Sequence, residues 1–429
     1  MHAAVIACYF LLIPPDAPLA AFPAVPAARL KEAGLPADGA SLLMYLRERL
    51  LQPGDAEKLA GLVKQLGDRS FAARKKASDG LVAAGPKAMP FLRNALADAD
   101  AEVRKRAQAC MAALERQSAL LPLAVQQLVH DRPGLEMPVL LGLASISAGP
   151  LEDAVLSAMA ILTIQRGPDS ALIAALKADD PAQRAAAALT LGRFGAGYRD
   201  PLRPLTKDAD ARVRYAVALS LLAGGEKPAA TRLANLLDDG DADLANRAES
   251  VLLSLAGEHA PAIVANATPA VRKEVWQGWC RLNGDRLDTR FVNDWLPPIS
   301  MPGRATAFAR KSIGAMRNGD TTNLRPMLAP QFLFGTGHYQ TENWLENQVR
   351  AGSISPQFFR GLKVVPFSRY ADWARSPREM ELVNQKEDAA GWAVLYAPSP
   401  QTWGTIFVHQ QRERFFLSGI SIDRFGRIE

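Results

Sequence analysis

The hydrophobic pattern of the first two thirds of the chain is helical, and it repeats. In the stretch that starts at Asp98, apolar residues recur at the spacing of an amphipathic helix, at Val103, Ala107, Cys110, Met111 and Leu114. The same frame fits stretches that open at Asp153, Asp180, Asp210, Asp241 and Thr268, and these origins advance by 27 to 31 residues. Such a period predicts a repeated unit of two helices joined by a short turn.

An acidic or hydroxyl residue opens the second helix of each unit. Aspartate and threonine side chains accept hydrogen bonds from the N–H groups of the first helical turn. We therefore predict that these residues are N-caps: Asp100, Asp180, Asp210, Asp241 and Thr268. An arginine follows at one fixed position in most units, as Arg104, Arg184, Arg214 and Arg272, whereas Ala245 takes that position in one unit.

Three segments carry a family resemblance: "DADAEVRKRAQACMAALE", "DADARVRYAVALSLLAG" and "TPAVRKEVWQGWCRLNG". They resemble HEAT repeats, which implies an α-α superhelix, or solenoid, over residues 68–288. Each repeat of such a stack buries its apolar face only against its neighbours, so residues 28–67 are expected to form capping helices. The repeat register between residues 118 and 150 stays open.

The repeated arginines have two interpretations. They can form a basic ridge that binds nucleic acid, or they can serve the fold by pairing with acidic neighbours. The formal net charge is +6, but the 299 residues before Ser300 hold 34 basic residues against 33 acidic ones. A polyanion-binding surface is expected to carry the positive surplus itself. The charge distribution therefore favours the structural interpretation over nucleic-acid binding.

The last third of the chain has a different composition, with all seven tryptophans after residue 275. Residues 289–302 contain three prolines and predict a linker. Beyond it, the helix and turn of "AMRNGDTTNLRPMLAPQFLF" precede alternating segments that end in "FFLSGISIDRFGRIE". These two segments are similar to the nuclear transport factor 2-like (SnoaL-like) fold. The resemblance implies that residues 303–429 form a small α+β domain with a curved antiparallel sheet.

That resemblance also implies a pocket between sheet and helices, used by some members for isomerase or dehydratase chemistry and by others for binding. The candidate pocket residues are His338, Tyr339, Trp344, Tyr396, Trp403 and His409. Either histidine would need a carboxylate partner to act as an acid or base, so no catalytic residue is assigned. The three cysteines and five histidines show no ligand spacing, and neither a metal nor a cofactor is expected.

The first 25 residues form an apolar leader that resembles the core of a signal peptide. No lysine or arginine precedes Arg29, however, so the basic start of such a signal is missing. Export to the periplasm or medium and a cytoplasmic location both remain open. The apolar run is too short to span a bilayer, and no transmembrane segment is predicted.

The pattern as a whole indicates a mainly α protein with a HEAT-like solenoid followed by a smaller α+β domain. The function expected from it is a non-catalytic scaffold or adaptor that holds an unidentified protein partner on the concave face of the solenoid. The alternative is binding or turnover of a small hydrophobic ligand in the C-terminal domain. Nucleic-acid binding through the repeat arginines is the least favoured function.

Overall fold

The structure is a computed structural model, and it describes most of the chain from residue 26 onward. The described residues are 26–131, 134, 136–147, 149–194, 198–264, 267–287, 289–299, 301–317, 320–334, 338–340, 361–366, 389–399, 402–411 and 414–425. They divide into two compact units, with the boundary between Thr190 and Leu191. The predicted leader lies outside the described residues.

Unit 1 is helical throughout its described part. Its helices are α1 (Pro26–Glu32), α2 (Gly39–Arg47), α3 (Asp55–Gln65), α4 (Phe71–Ala84), α5 (Met89–Ala95), α6 (Ala101–Gln117), α7 (Leu121–Asp131), α8 (Glu136–Ile146), α9 (Pro150–Arg166), α10 (Ser170–Ala175) and α11 (Pro181–Leu191), which contains the boundary, and a 3-10 helix, Gly85–Ala88, precedes α5. The helices α3 and α4 pack as one pair, and α5 and α6 as the next.

The core between these pairs contains the predicted apolar stripe of α6. Val103, Ala107, Cys110 and Leu114 are all buried, and they form one cluster with Leu81 of α4. The polar positions between them face outward, because an apolar residue every three or four positions occupies one side of a helix. The repeat pattern therefore identifies the buried side of this helix correctly.

Of the helices in the predicted capping segment, α3 packs against α4, whereas α1 and α2 lie elsewhere in the unit. Both α1 and α2 pack against α7, and α2 also contacts α8. The Leu50 side chain lies so close to Gly142 of α8 that a Cβ added at Gly142 would be 2.8 Å from it. These helices thus cover the segment of residues 118–150 whose register was left open.

The prediction that Asp153 opens a helix is wrong. Helix α9 begins three residues earlier, at Pro150, and Asp153 lies in its first turn. Proline is well suited to the first helical position, because its φ angle is already helical and its missing N–H would be unpaired there. The Gly149-Pro150 pair therefore sets the start of this helix.

Unit 2 continues with helices and ends in a sheet. Its helices are α12 (Arg199–Leu202), α13 (Ala211–Ala223), α14 (Ala230–Asn235), α15 (Ala242–Ala256), α16 (Pro269–Asn283), α17 (Met301–Arg317) and α18 (Thr321–Leu324), and its 3-10 helices are Arg203–Lys207, Lys227–Ala229, Leu236–Asp238, Gly257–His259, Gly284–Arg286, Thr289–Trp295 and Arg325–Met327. The segment predicted as a linker thus contains the 3-10 helix Thr289–Trp295 and the start of α17, which begins at Met301.

The predicted apolar stripe of α16 is wrong in part. Leu282 is 85 % exposed and Val271 is also exposed, whereas Trp276, Trp279 and Cys280 are buried. The two tryptophan rings make an edge-to-face contact, with centroids 5.6 Å apart. Since tryptophan has the largest apolar surface to bury, the two rings determine which side of the helix faces the core.

The sheet at the end of unit 2 has six strands in its described part. They are β1 (Leu328–Phe334), β2 (His338–Gln340), β3 (Gly361–Pro366), β4 (Ala389–Ser399), β5 (Thr402–Gln411) and β6 (Arg414–Phe425), arranged in the order β2-β1-β6-β5-β4-β3. Helix α17 packs against β3, β4, β5 and β6. The sheet is not wholly antiparallel as predicted, because β1 pairs with β6 in parallel. A parallel pair needs a crossover connection, and the chain between β1 and β6 supplies one.

Candidate interaction surface of the repeats

The turn before α6 is closed by three side chains that act on the backbone. The Oδ1 of Asp100 accepts the N–H of Glu102 at 2.8 Å, so Asp100 is the N-cap. The Oδ1 of Asp98 accepts the N–H of Asp100, also at 2.8 Å. From one helical turn further on, the Nη1 of Arg104 donates to the carbonyl oxygens of Asp98 and Ala99 at 2.7 and 2.8 Å.

The same arrangement recurs in other turns. Caps accept from first-turn N–H groups at 2.8 to 3.4 Å in the turns of Ser70, Asp180, Asp210, Asp241 and Thr268. The arginine four residues after the cap donates to two carbonyls of its own turn at Arg74, Arg184 and Arg214, with distances of 2.7 to 3.1 Å. These arginines are therefore occupied by hydrogen bonds to the fold.

The sequence analysis did not identify Asp98 or its equivalents Asp68 and Asp208, whose carboxylates accept the N–H of Ser70 and Asp210. The arginines were predicted to pair with acidic side chains. In four turns, however, the arginine donates hydrogen bonds to backbone carbonyls of its own turn. The sequence does contain a signal for this first aspartate. The heptapeptides "DADAEVR" and "DADARVR" share it, together with the cap aspartate and the arginine.

The turn before α15 has no arginine of its own, because Ala245 takes that position. Its Asp239 instead pairs with Arg214, which belongs to the preceding turn. On the next helix, α16, the arginine has another kind of partner, since Arg272 binds the carboxylate of Glu249 on α15. The Nε1 of Trp276 donates to the same carboxylate at 3.0 Å, and Glu249 is fully buried.

Exposed charges on neighbouring helices are also paired. Glu102 of α6 bridges Arg74 of α4, at 3.3 Å, and Arg106 of its own helix, at 2.7 Å. In unit 2, Lys273 pairs with Asp238 at 2.8 Å. Because of these ion pairs and the hydrogen bonds to turn carbonyls, few of the repeat arginines are available to contact phosphates. The geometry thus supports the structural interpretation of these charges.

Comparison with family models agrees with this organisation. Residues 170–253 match the model for HEAT repeats. HEAT repeats generally mediate protein–protein interaction, so protein partners are the class of ligand that this part of the chain suggests. A search of curated proteins finds no similar sequence.

The second helices of the HEAT repeats in unit 2 are covered on both sides. In α13 the stripe that faces α14 is buried, but so are residues on its opposite side, Tyr215, Ala218, Leu219 and Leu222. The 3-10 helix Thr289–Trp295 packs against both α13 and α15. Arg193 donates to the carbonyl oxygens of Asn293 and Pro297, at 3.2 and 2.8 Å, and so fixes the backbone of that segment.

The second helices of the first two pairs, α4 and α6, keep an exposed side. Lys75, Lys76 and Asp79 are exposed on α4, and Lys105 and Gln108 on α6. Lys75 and Lys105 occupy the repeat position of Tyr215, five residues after the cap. The same position is thus polar and open in α4 and α6 but apolar and buried in α13.

Unit 1 also has an open cleft of about 960 Å³ beside α3 and α4. Its lining mixes both signs of charge, for example Lys58 and Lys76 with Glu48 and Asp79. Lys87 and Asp55, which also line it, pair with each other at 3.0 Å. A lining of this kind suits a polar protein surface better than a small apolar ligand, because buried ligand sites are predominantly apolar.

Of the six candidate pocket residues of the C-terminal domain, the five that the structure describes do not all converge. His338 and Tyr339 lie on the edge strand β2, three strands away from β5, and Trp344 lies outside the described residues. Tyr396 of β4 pairs with Gly404, next to Trp403 on β5. His409 lies six residues further along β5, which is about 20 Å in an extended strand. The backbone therefore brings only Tyr396 and Trp403 close together.

His409 itself is held in an apolar environment. Its ring stacks on Phe416 of β6, with centroids 5.5 Å apart, and the preceding residues Ile406, Phe407 and Val408 are buried. Burial lowers the pKa of His409 below its ordinary value of 6.5. The histidine is thus kept neutral, as a packed side chain would be, and burial alone accounts for the shift.

The described part of the chain contains no group of three or more histidine, cysteine or carboxylate side chains placed to hold a metal ion. None of its helices is long and apolar enough to span a bilayer. Cys110 and Cys280 are buried free thiols, and burial raises the pKa of Cys280 to about 11.

Proposed function

We propose that this protein is a non-catalytic scaffold that holds a protein partner on its HEAT repeats. The observation that carries the proposal is the exposed side of α4 and α6, which lie in consecutive helix pairs and pack against each other. On these helices Arg74 and Arg104 donate hydrogen bonds to backbone carbonyls of their own turns. Other polar side chains, such as Lys75 and Lys105, are exposed to solvent. A surface of this kind suits another protein rather than a small substrate.

The proposal includes the stacking of the repeats into a solenoid whose concave face holds the partner. We place the partner on only part of that face. The corresponding sides of α13 and α15 are covered by the segment around Thr289–Trp295, so we assign the partner to the repeats of unit 1.

The test is capture of the intact tagged chain from its own cells, followed by chemical cross-linking and mass spectrometry. The expected result is a protein that co-purifies with the chain and cross-links to lysines of unit 1, such as Lys75 and Lys105. An untagged chain serves as the control. Recovery of no protein above that control, or cross-links confined to residues 303–429, would contradict the scaffold function.

The second candidate function is binding or turnover of a small hydrophobic ligand in a SnoaL-like C-terminal domain. Its support is the packing of α17 against four strands of the sheet and the apolar environment of His409. Ligand turnover would require a carboxylate beside a histidine. A His409→Phe variant that folds and retains every activity of the intact protein would argue against a catalytic role for His409.

A further inference from the structure

The aromatic ring of Phe71 is exposed at the start of α4. It is 65 % exposed, although the first helical position in the other capped second helices is alanine or proline: Ala101, Pro181, Ala211, Ala242 and Pro269. A single exposed apolar residue needs no explanation by itself. Phe71 differs because its surroundings hold it in place.

Two arginines flank the Phe71 ring. The Cζ atoms of Arg74 and Arg106 lie 5.9 and 5.8 Å from its centroid, within the range of cation–π contacts. Both guanidinium groups are fixed by the bridging carboxylate of Glu102, and Arg74 also donates to the carbonyls of its own turn. The exposed ring is therefore part of a preorganised surface that joins α4 to α6.

The stretch of chain that contains this ring and its two arginines has a surplus of positive charge. Residues 68–106 hold nine lysines and arginines against five aspartates and glutamates. Four of those carboxylates belong to turns or to the bridge, at Asp68, Asp98, Asp100 and Glu102. Lys75 and Lys105 are exposed at equivalent positions of packed helices, whose axes lie about 10 Å apart. Among the described residues, neither lysine forms an ion pair with a carboxylate.

We propose that this surface, formed by Phe71, Lys75, Lys105 and the two arginines that flank the ring, binds an acidic segment of the partner protein. Each lysine pairs with one carboxylate of that segment. An apolar side chain of the same segment packs on the Phe71 ring. The inference rests on the proposed scaffold function and specifies the chemistry of its partner.

A protein segment fits this surface better than a nucleic acid does. Nucleic-acid grooves track a backbone with a row of cations and stack successive bases on several aromatic rings. Here a single ring is available, its neighbouring arginines are fixed to Glu102, and Lys75 and Lys105 lie on two different helices. Two lysines and one exposed ring can be contacted by a short peptide motif that has two acidic residues and one apolar residue.

The test is selection of random peptides displayed on phage against the intact protein, followed by fluorescence anisotropy with the selected peptide. We expect the enriched peptides to carry a pair of acidic residues beside an apolar residue. Replacing both acids by glutamine, or replacing Lys75 and Lys105 by glutamate in the protein, should weaken binding roughly tenfold or more. Phe71→Ala should also weaken it, and Phe71→Leu should restore part of the loss.

The matched control is the double variant Lys31→Glu and Lys64→Glu, which makes the same charge change at exposed positions of α1 and α3. It should bind the peptide as the wild-type protein does, and circular dichroism should show that all variants are folded. Enriched peptides without paired acids, no enrichment at all, or equal loss in the control would overturn the proposal. So would a single-stranded oligonucleotide that displaces the peptide at physiological salt.

The scaffold function and this surface can fail separately. If the Lys75→Glu and Lys105→Glu double variant still captures the cellular partner at the wild-type level, the surface assignment is wrong and the scaffold function stands. If neither the wild-type protein nor the variant captures a partner, the scaffold function fails as well.

Discussion

The second helices of the two units show one repeat unit used in two ways. In unit 1, α6 buries a single apolar stripe and exposes its opposite side, with Lys105 near the start of that side. In unit 2, α13 is buried on both sides, and its Tyr215 is only 5 % exposed. The difference shows that the outer side of such a helix can be covered by a segment of the same chain in one place and remain open in another.

We expect the largest difference in free energy of unfolding when an arginine–glutamate pair is broken in each unit. Replacing Arg272 by Met leaves the carboxylate of Glu249 buried without its guanidinium partner, which should destabilise unit 2 by about 3–5 kcal/mol. Replacing Arg106 by Met disturbs only the half-exposed Glu102 and should cost less than about 1 kcal/mol. Urea unfolding followed by tryptophan fluorescence measures the first change, because every tryptophan lies in unit 2, and circular dichroism measures the second. Equal losses would mean that the units do not differ in this respect.

The two faces themselves can be compared at one repeat position. Tyr215→Ala removes a buried aromatic ring, and we expect it to lower the free energy of unfolding by about 3–5 kcal/mol. Lys105→Ala, at the equivalent position of α6, should change it by no more than about 0.5 kcal/mol. Chemical denaturation of both variants provides the measurement. A large loss for Lys105→Ala would indicate that the open face is part of the core.

Unit 1 has a buried carboxylate of its own, which makes its stability depend on pH. Burial of the Glu136 carboxyl opposes ionisation, but hydrogen bonds from Arg166 and from backbone N–H groups outweigh it, so the pKa of Glu136 lies below its ordinary value of 4.5. A group with a lowered folded-state pKa stabilises the protein above its unfolded-state pKa and loses that contribution as pH falls through the folded-state value.

Arg166→Met should therefore destabilise unit 1 by about 2–3 kcal/mol at neutral pH, less than for Arg272 because Arg166 is more exposed. It should also raise the pKa of Glu136 and move acid unfolding to higher pH. Circular dichroism over an acid titration is the measurement. Gln127→Ala, which removes a hydrogen bond to Asp131 in the same part of the unit, provides a control that keeps this carboxylate pair. An unchanged acid midpoint in Arg166→Met would show that the pair does not govern acid stability.

The smallest effect is expected in the turns that the two units share. Asp100→Ala removes a cap and Arg104→Met removes two hydrogen bonds to carbonyls, and each should cost about 1 kcal/mol. Asp241→Ala should cost a similar amount in a turn that has Ala245 instead of arginine. Thermal unfolding is the measurement, with Lys105→Met as the neutral control. If Arg104→Met is as neutral as that control, the arginine does not stabilise its turn.

The sequence predicts the local parts of this fold well. Period, caps and the buried stripe of α6 depend on residues close together in the chain, and Asp100, Val103 and Leu114 all have the predicted place. The coverage of α13 by the 3-10 helix Thr289–Trp295 could not be predicted, because it joins segments about 80 residues apart. The only hint is that α13 is apolar on every side, as in "YAVALSLLA".

The candidate sites were predicted less well for a similar reason. Aromatic and histidine residues in the last third suggest a pocket by their chemistry alone, and strand order then separates them: His338 lies on an edge strand and His409 near the centre of the sheet. Phe71 was overlooked because its importance depends on Arg106, which is 35 positions away in the sequence. Register and contacts across helices are properties that composition cannot specify.

The turn bonds of Arg104 and its equivalents join atoms that are no more than six residues apart. Loops this short close with little loss of chain entropy, so each turn can form before the helix pair after it is in place. During synthesis, a repeat could therefore complete its turn soon after it leaves the ribosome. The order of folding would follow the order of the chain, and the long-range cover of α13 would be the last part to form.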